Sequence, residues 1–338
     1  FTLNTVASPR SCIDGCLLAR TFGGDGIDEL FASPLTSNGD FILGGFTDSF
    51  GPVGSGRNFL VIRSDGTGVV GSPETWARTY GGSNNNPDEL NSLEVFPVGE
   101  DFNLVLGGLT QSFGDTDGDF LAIETDFNGN VGVSEWAKAY CGSLLDRLNS
   151  LEALSGSPIL GGNTASFGTL GDFLVIKANS DGTVNWARTY GGDDLDELNS
   201  LRIFDRGGGD AGYILGGYTT SFGSNGDFSV IEINSTGATV NWANAYGGTG
   251  VDRLNCLQFL SGGGYILGGD TTSFGVGGDF LIIEITATGA LTPRAMSYGG
   301  DGLDQLRFLQ QTDDDGDGTR DDGYILGGYT ESFGVGGV

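Results

Sequence analysis

The 338-residue chain carries 15 Lys+Arg against 44 Asp+Glu and no His, a formal net charge of −29 at pH 7. That balance excludes binding that works by neutralising nucleic-acid phosphates, and the missing imidazole excludes Ser-His-Asp and Cys-His catalysis, His-ligated zinc and CxxCH haem attachment. No apolar run approaches the roughly 20 residues that a membrane-spanning helix needs, whereas aromatics at 11% give the chain a core to bury.

From its start the chain reads as strands. Phe1-Thr2-Leu3-Asn4-Thr5-Val6 alternates in polarity, and Phe1 to Ala7 is too polar for a signal peptide, so the sequence is expected to be the mature form of an exported protein. Leu18 to Gly24 then opens a motif, (W)A-x-x-(Y/F)-G-G-x3-D-x-L, that recurs six times with its aromatic anchor at Phe22, Tyr80, Tyr140, Tyr190, Tyr246 and Tyr298. A second motif, LGGxTxSFG, also recurs six times, beginning at Leu43, Leu106, Leu160, Leu215, Leu267 and Leu326. Anchor spacings of 50 to 60 residues are too long for leucine-rich or ankyrin repeats and suit a four-stranded propeller blade.

Residues 196 to 246 show the unit most plainly. Strands are expected at Asp196 to Phe204, Gly212 to Thr220, Asp227 to Ile233 and Thr239 to Tyr246, separated by Gly-rich and Asn-rich turns. No segment holds a 3.6-residue apolar period. The expected fold is therefore all-β, a single six-bladed β-propeller with four antiparallel strands per blade. Blades one to five run over approximately 25–80, 81–140, 141–190, 191–246 and 247–298. The sixth combines 304–338, which holds two strands, with 1–22, which supplies the missing third and fourth. Completing the sixth blade within one chain closes the ring and removes exposed edges. The same strands inserted into a neighbouring molecule would instead propagate head to tail. Self-closure is the simpler geometry because the joining loop is short.

Units of the form WARTYGGDDLDELNSL, GYILGGYTTSFG and GDFLVIK resemble the secreted bacterial and archaeal β-propeller repeats. The resemblance covers nearly the whole chain. It implies a propeller fold and an exported protein, and it implies no particular activity. Arg294 departs from the pattern where other fourth strands carry Trp76, Trp136, Trp186 and Trp242, as does Leu18.

The sharpest local signal for chemistry is Asp313-Asp314-Asp315-Gly316-Asp317-Gly318-Thr319-Arg320-Asp321. Alternating carboxylates, a turn glycine and a further Asp four residues on reproduce the DxDxDGxxD calcium loop, with Asp313, Asp315, Asp317, Thr319 (through its carbonyl) and Asp321 as ligands to Ca2+. The segment resembles the calcium-binding hairpins of integrin-type propellers, and its expected role is structural.

Asp28, Asp88, Asp146, Asp196, Asp252 and Asp304 repeat at one position, and each is expected to cap backbone N–H groups of the adjoining YGG turn rather than to form a cation site. The SFG serines, Ser49, Ser112, Ser166, Ser221, Ser273 and Ser332, are read as turn residues, not nucleophiles. Cys12 and Cys16 could form a disulfide across a hairpin, while Cys141 and Cys256 are read as buried thiols. Arg57, Lys177, Arg206 and Arg294 read as unpaired surface variation. The closest approach to a sialidase box, Asn179 to Trp186, lacks the required spacing, and no symmetry-breaking carboxylate pair suggests a glycosidase.

The sequence thus points to a secreted, non-catalytic, extracellular or cell-surface structural propeller, stabilised by calcium and able to assemble with itself into filaments through its N-terminal strands. An extracellular glycan- or protein-binding module is the alternative, and a hydrolase is a weaker one. Neither nucleic acid nor a membrane span is expected.

Overall fold

A computed structural model describes residues 21–32, 39–51, 56–71, 75–82, 85–98, 101–140, 142–154, 156–207, 211–312 and 323–333. Every regular element among them is a strand. They form successive antiparallel sheets in which chain order is spatial order. The first sheet comprises β1 (Asp28–Ala32), β2 (Phe41–Thr47), β3 (Asn58–Ser64) and β4 (Trp76–Tyr80). The second comprises β5 (Asp88–Val98), β6 (Asp101–Thr110), β7 (Asp119–Thr125) and β8 (Ala137–Tyr140). The third comprises β9 (Asp146–Leu154), β10 (Ser157–Thr164), β11 (Asp172–Ala178) and β12 (Val184–Tyr190). The fourth holds β13 (Asp196–Asp205), β14 (Ala211–Thr219), β15 (Asp227–Asn234) and β16 (Val240–Tyr246), and the fifth holds β17 (Asp252–Phe259), β18 (Tyr265–Thr271), β19 (Asp279–Ile285) and β20 (Leu291–Tyr298). The sixth has two strands among the described residues, β21 (Asp304–Thr312) and β22 (Gly323–Thr330). This all-β series of four-stranded antiparallel meanders is consistent with a β-propeller-like fold.

The chain divides into two compact units, one of residues 1–160 and 177–185 and the other of residues 161–176 and 186–338. Within each, the same packing rule repeats. The second strand of a sheet carries the LGG glycines, and the first strand of the following sheet carries two leucines that pack on them. In the second unit, a Cβ on Gly216 would lie 2.9 Å from Cδ2 of Leu254 and 3.2 Å from Cδ1 of Leu257. In the first unit, a Cβ on Gly44 would lie 3.0 Å from both Leu90 and Leu93. These leucines are buried, and apolar residues of the middle strands fill the rest of each inter-sheet core, as with Ile214, Val230, Leu267 and Ile283. Alternation on β13 and β17 reflects one face on that core. The middle strands β15 and β19, covered on both sides, are buried almost throughout.

A bulge fixes which side chain crosses to the next sheet. The β13–β14 register shifts between Leu198 and Ser200, and the same irregularity falls between Leu90 and Ser92 and between Leu254 and Cys256. The extra residue is re-aimed out of its own ladder. Accordingly, Asn199 Nδ2 donates to the carbonyl of Leu254 at 2.9 Å, and Asn91 Nδ2 donates to that of Leu148 at 2.7 Å. Fourth strands grip the following sheet in a second way. Trp76 Nε1 donates to Phe127 O at 3.1 Å, and the hydroxyls of Tyr80, Tyr190 and Tyr246 donate to the carbonyls of Gly129, Gly237 and Gly289.

Candidate functional site

The repeated aspartate that opens each first strand sits where the YGG turn and the T-x-S segment meet. Asp252 shows the full arrangement. Its Oδ2 accepts the Gly248 N–H at 2.7 Å and the Ser273 hydroxyl at 2.6 Å, and its Oδ1 accepts the Thr271 hydroxyl. Thr271 Oγ1 in turn accepts the backbone N–H groups of Ser273 and Phe274, which fixes the turn. Asp28 and Asp304 repeat these contacts with Gly24, Thr47 and Ser49 and with Gly300, Thr330 and Ser332. Asp88 and Asp196 likewise accept the N–H of Gly82 and Gly192. The expected turn cap is present, but the serines do more than turn. Ser49, Ser221, Ser273 and Ser332 each donate to the aspartate, so their hydroxyls are committed to structure.

These hydrogen bonds set the acidity of the group. Burial alone would raise the Asp28 carboxyl, yet the hydroxyl of Thr47, the Gly24 N–H and Ser49 together hold it below the usual Asp value. The same balance, with Ser332, Thr330 and Gly300 as donors, lowers Asp304.

A second aspartate, at the start of the third strand in the second to fifth sheets, was not singled out by the sequence reading. Asp172, Asp227 and Asp279 are buried, and in each Oδ2 accepts one backbone N–H, from Thr169, Ser224 and Val276 respectively. Their Oδ1 atoms have no hydrogen-bond partner. Each faces the first-strand aspartate of the next sheet across the first glycine of YGG. A Cβ on Gly247 would overlap Asp227 Oδ1 and lie 2.6 Å from Asp252 Oδ2. Gly191 stands in the same way between Asp172 and Asp196, and Gly299 between Asp279 and Asp304. Burial pushes the carboxyls of Asp172 and Asp227 up against the pull of one backbone N–H each, and the facing charges of Asp196 and Asp252 add a smaller push. The periodic Asp-Phe at the head of GDFLVIK was the available signal, but its partner lies in the next unit of the sequence.

One polar cluster breaks the repeat. Arg206 pairs with the buried Glu232, Nη1 to Oε1 at 3.1 Å and Nη2 to Oε2 at 2.5 Å, while Asn241 Nδ2 and the Tyr265 hydroxyl donate to Oε1 and Oε2 at 3.0 and 2.8 Å. Burial would raise the Glu232 carboxyl, but these donors, led by Arg206, hold it below its ordinary value. A cavity of about 370 Å³ lies beside it, lined by Phe204, Arg206, Phe259 and Tyr265 among others. With four donors on two oxygens, Glu232 has no lone pair directed at a ligand.

Arg206 is therefore not an unpaired surface residue. Arg57 is held by Asp48 and Glu89, and Arg294 by Glu284. The sequence reading of these three fails because the partners, 9 to 32 residues away, sit on neighbouring strands or loops that only the fold brings alongside. Cys256 is a free, buried thiol as expected, and burial pushes its pKa up to about 12. The expected calcium ligands Asp313, Asp315, Asp317, Thr319 and Asp321 lie outside the described residues, as do Cys12, Cys16, Cys141 and the strand-like segments of residues 1–20. Among the described residues, no three His, Cys, Asp or Glu side chains gather as a metal-binding group. No helix there is long and apolar enough to cross a membrane.

Comparison with known proteins adds little. No family model and no curated protein matches the chain. Among solved structures, Sqt1 from Chaetomium thermophilum is similar at 15% identity and a TM-score of 0.44, over 84% of this chain and 65% of that one. The chain thus spans somewhat less than two thirds of that structure's length.

Proposed function

We propose that the chain is a non-catalytic structural protein of the cell exterior, a six-bladed propeller-type array whose copies join head to tail. The observation that carries this reading is the exposure of Leu30. Its counterparts Leu90, Leu148, Leu198, Leu254 and Leu306 are fully buried, the inner ones on the LGG glycine of a preceding sheet, whereas Leu30 is 57% exposed. Ile27 and Phe31 beside it are exposed as well. The complementary half of the joint is on the last sheet. Around Gly327, the only atoms of described residues within 4 Å of a Cβ position belong to Phe308 of its own sheet, at 3.6 and 3.8 Å. Phe308, Ile325 and Tyr329 are exposed there.

End units of repeat arrays that remain soluble as single copies carry polar outer faces, and these two faces are apolar. Residues 1–22 of one copy would supply the third and fourth strands of its neighbour's last sheet. That insertion sets β1 against Gly327 in the way β17 lies against Gly216. Joining to a second copy would bury Leu30 as its counterparts are buried. Within this reading the acidic segment 313–321 holds calcium that stiffens the β21–β22 connection, the strong negative charge suits an exported, soluble subunit, and the saturated donors around Glu232 support a role without catalysis.

The test is a mixing experiment in a background with Cys12, Cys16 and Cys141 changed to Ser and Cys256 to Ala. One protein carries Leu30→Cys alone and the other Gly327→Cys alone. Oxidation of the mixture should give a heterodimer band on a non-reducing gel. If only a chain carrying both cysteines crosslinks, and does so as a monomer, the ring closes within one chain and head-to-tail joining is wrong.

A further inference from the structure

The third-strand aspartates pose an energetic problem that the packing does not solve. Asp172, Asp227 and Asp279 are only 5%, 3% and 4% exposed, and each keeps one carboxylate oxygen without a hydrogen-bond donor. A buried polar atom left in that state costs free energy, and more when it is charged. Moreover, each orphan oxygen lies near another carboxylate: the Cβ position of the intervening glycine is close both to it and to Oδ2 of Asp196, Asp252 or Asp304. Those oxygens already accept an N–H from the second glycine of YGG and a serine hydroxyl. Three buried like-charge pairs in one unit of the chain, each missing its countercharge, are hard to explain as packing.

The chain holds its own control. At the corresponding place in the first sheet stands Asn58, whose Oδ1 meets the Gly81 Cβ position beside Asp88 Oδ2, and whose Nδ2 donates to Gly56 O at 2.8 Å. There the pair is reduced to one charge and the sheet forms in the same register.

We propose that the Asp172–Asp196, Asp227–Asp252 and Asp279–Asp304 pairs are divalent cation sites, taking Ca2+, one between each two consecutive sheets from the third to the sixth. Two hard carboxylates per site suit Ca2+, whose flexible shell accepts water and backbone oxygens for the remaining positions. With so few charged ligands the sites belong in the weak, 10⁻⁴ to 10⁻³ M range of extracellular calcium modules. Such ions would tie the third strand of one sheet to the first strand of the next. These sites are separate from the acidic segment 313–321 and do not depend on head-to-tail joining.

The experiment uses full-length protein in which Asp313, Asp315, Asp317 and Asp321 are changed to Asn, so that this segment cannot contribute. Calcium binding is followed by equilibrium dialysis at millimolar free Ca2+, and thermal midpoints are read in Ca2+ and in EDTA. The parent should take up calcium and melt several degrees higher with it. Asp172→Asn, Asp227→Asn and Asp279→Asn should each remove one bound calcium, and the triple variant three. The triple variant should melt at the same temperature in Ca2+ and EDTA, and no lower than the parent in EDTA, because Asn58 shows that the amide fits. Equal calcium uptake by parent and triple variant overturns the proposal. So does a parent that binds none but grows more stable in EDTA as the pH falls from 7 to 5, since a shared proton then bridges each pair.

Discussion

The two glycines of each LGG motif are constrained by different neighbours, and alanine substitutions should separate them. At Gly217 an added Cβ overlaps the carbonyl oxygen of Glu197 and lies 3.0 Å from the Leu198 Cα, both main-chain atoms beside the β13 bulge. Relief requires the bulge itself to move, so Gly217→Ala should cost about 4 kcal/mol or more, the upper range for single substitutions. At Gly216 the obstacles are the methyl ends of Leu254 and Leu257, at 2.9 and 3.2 Å. These can shift, but only by overpacking a filled core, which costs about 1–3 kcal/mol. At Gly327 the contacts at 3.6 and 3.8 Å are ordinary, and replacing a strand glycine there should be neutral or stabilising by up to about 1 kcal/mol. Urea unfolding of the three variants under non-assembling conditions gives the order directly. Equal losses at Gly216 and Gly217, or a loss at Gly327 as large as at Gly216, would refute the assignment of these glycines to inter-sheet packing and the bulge.

Other consequences can be checked with the same material. The carboxyls of Asp28 and Asp304 are held below the usual Asp value, so their contribution to stability is complete above about pH 4 and is lost as the pH falls through their lower folded values; Asp304→Asn should flatten the acid limb of the urea midpoint between pH 4 and 2. The Cys256 thiol, pushed up to about 12, should not react with a thiol reagent at pH 8 until the protein is unfolded, and early labelling would contradict its burial. Arg206→Met leaves the Glu232 carboxylate buried without its cation and should cost about 3 kcal/mol, whereas the double change with Glu232→Gln should recover much of that loss in a mutant cycle.

The strand pattern was legible because alternation and turn residues are local. The expected strands Asp196 to Phe204 and Asp227 to Ile233 appear as Asp196–Asp205 and Asp227–Asn234. The capping aspartates were legible for the same reason, since Asp252 lies four residues from the Gly248 N–H it accepts. What escaped the sequence joins strands or repeats that only the fold brings together. Ser273 and Asp252 are 21 residues apart, Arg206 and Tyr265 are 59, and Asp227 meets Asp252 only when two sheets stack. A repeat reports that such residues matter equally in every unit, but it does not say which unit supplies the partner.

The grip of each fourth strand on the next sheet bears on how the chain folds during synthesis. Trp76, Tyr80, Trp136, Tyr140, Tyr190 and Tyr246 find their acceptors 42 to 51 residues downstream. A ribosome would therefore have to deliver roughly one more repeat before the outer strand of the previous one could be latched. Folding then advances with a lag of one unit, and a premature stop would leave the last complete sheet with its tyrosine unlatched, a ready mark for proteolytic clearance.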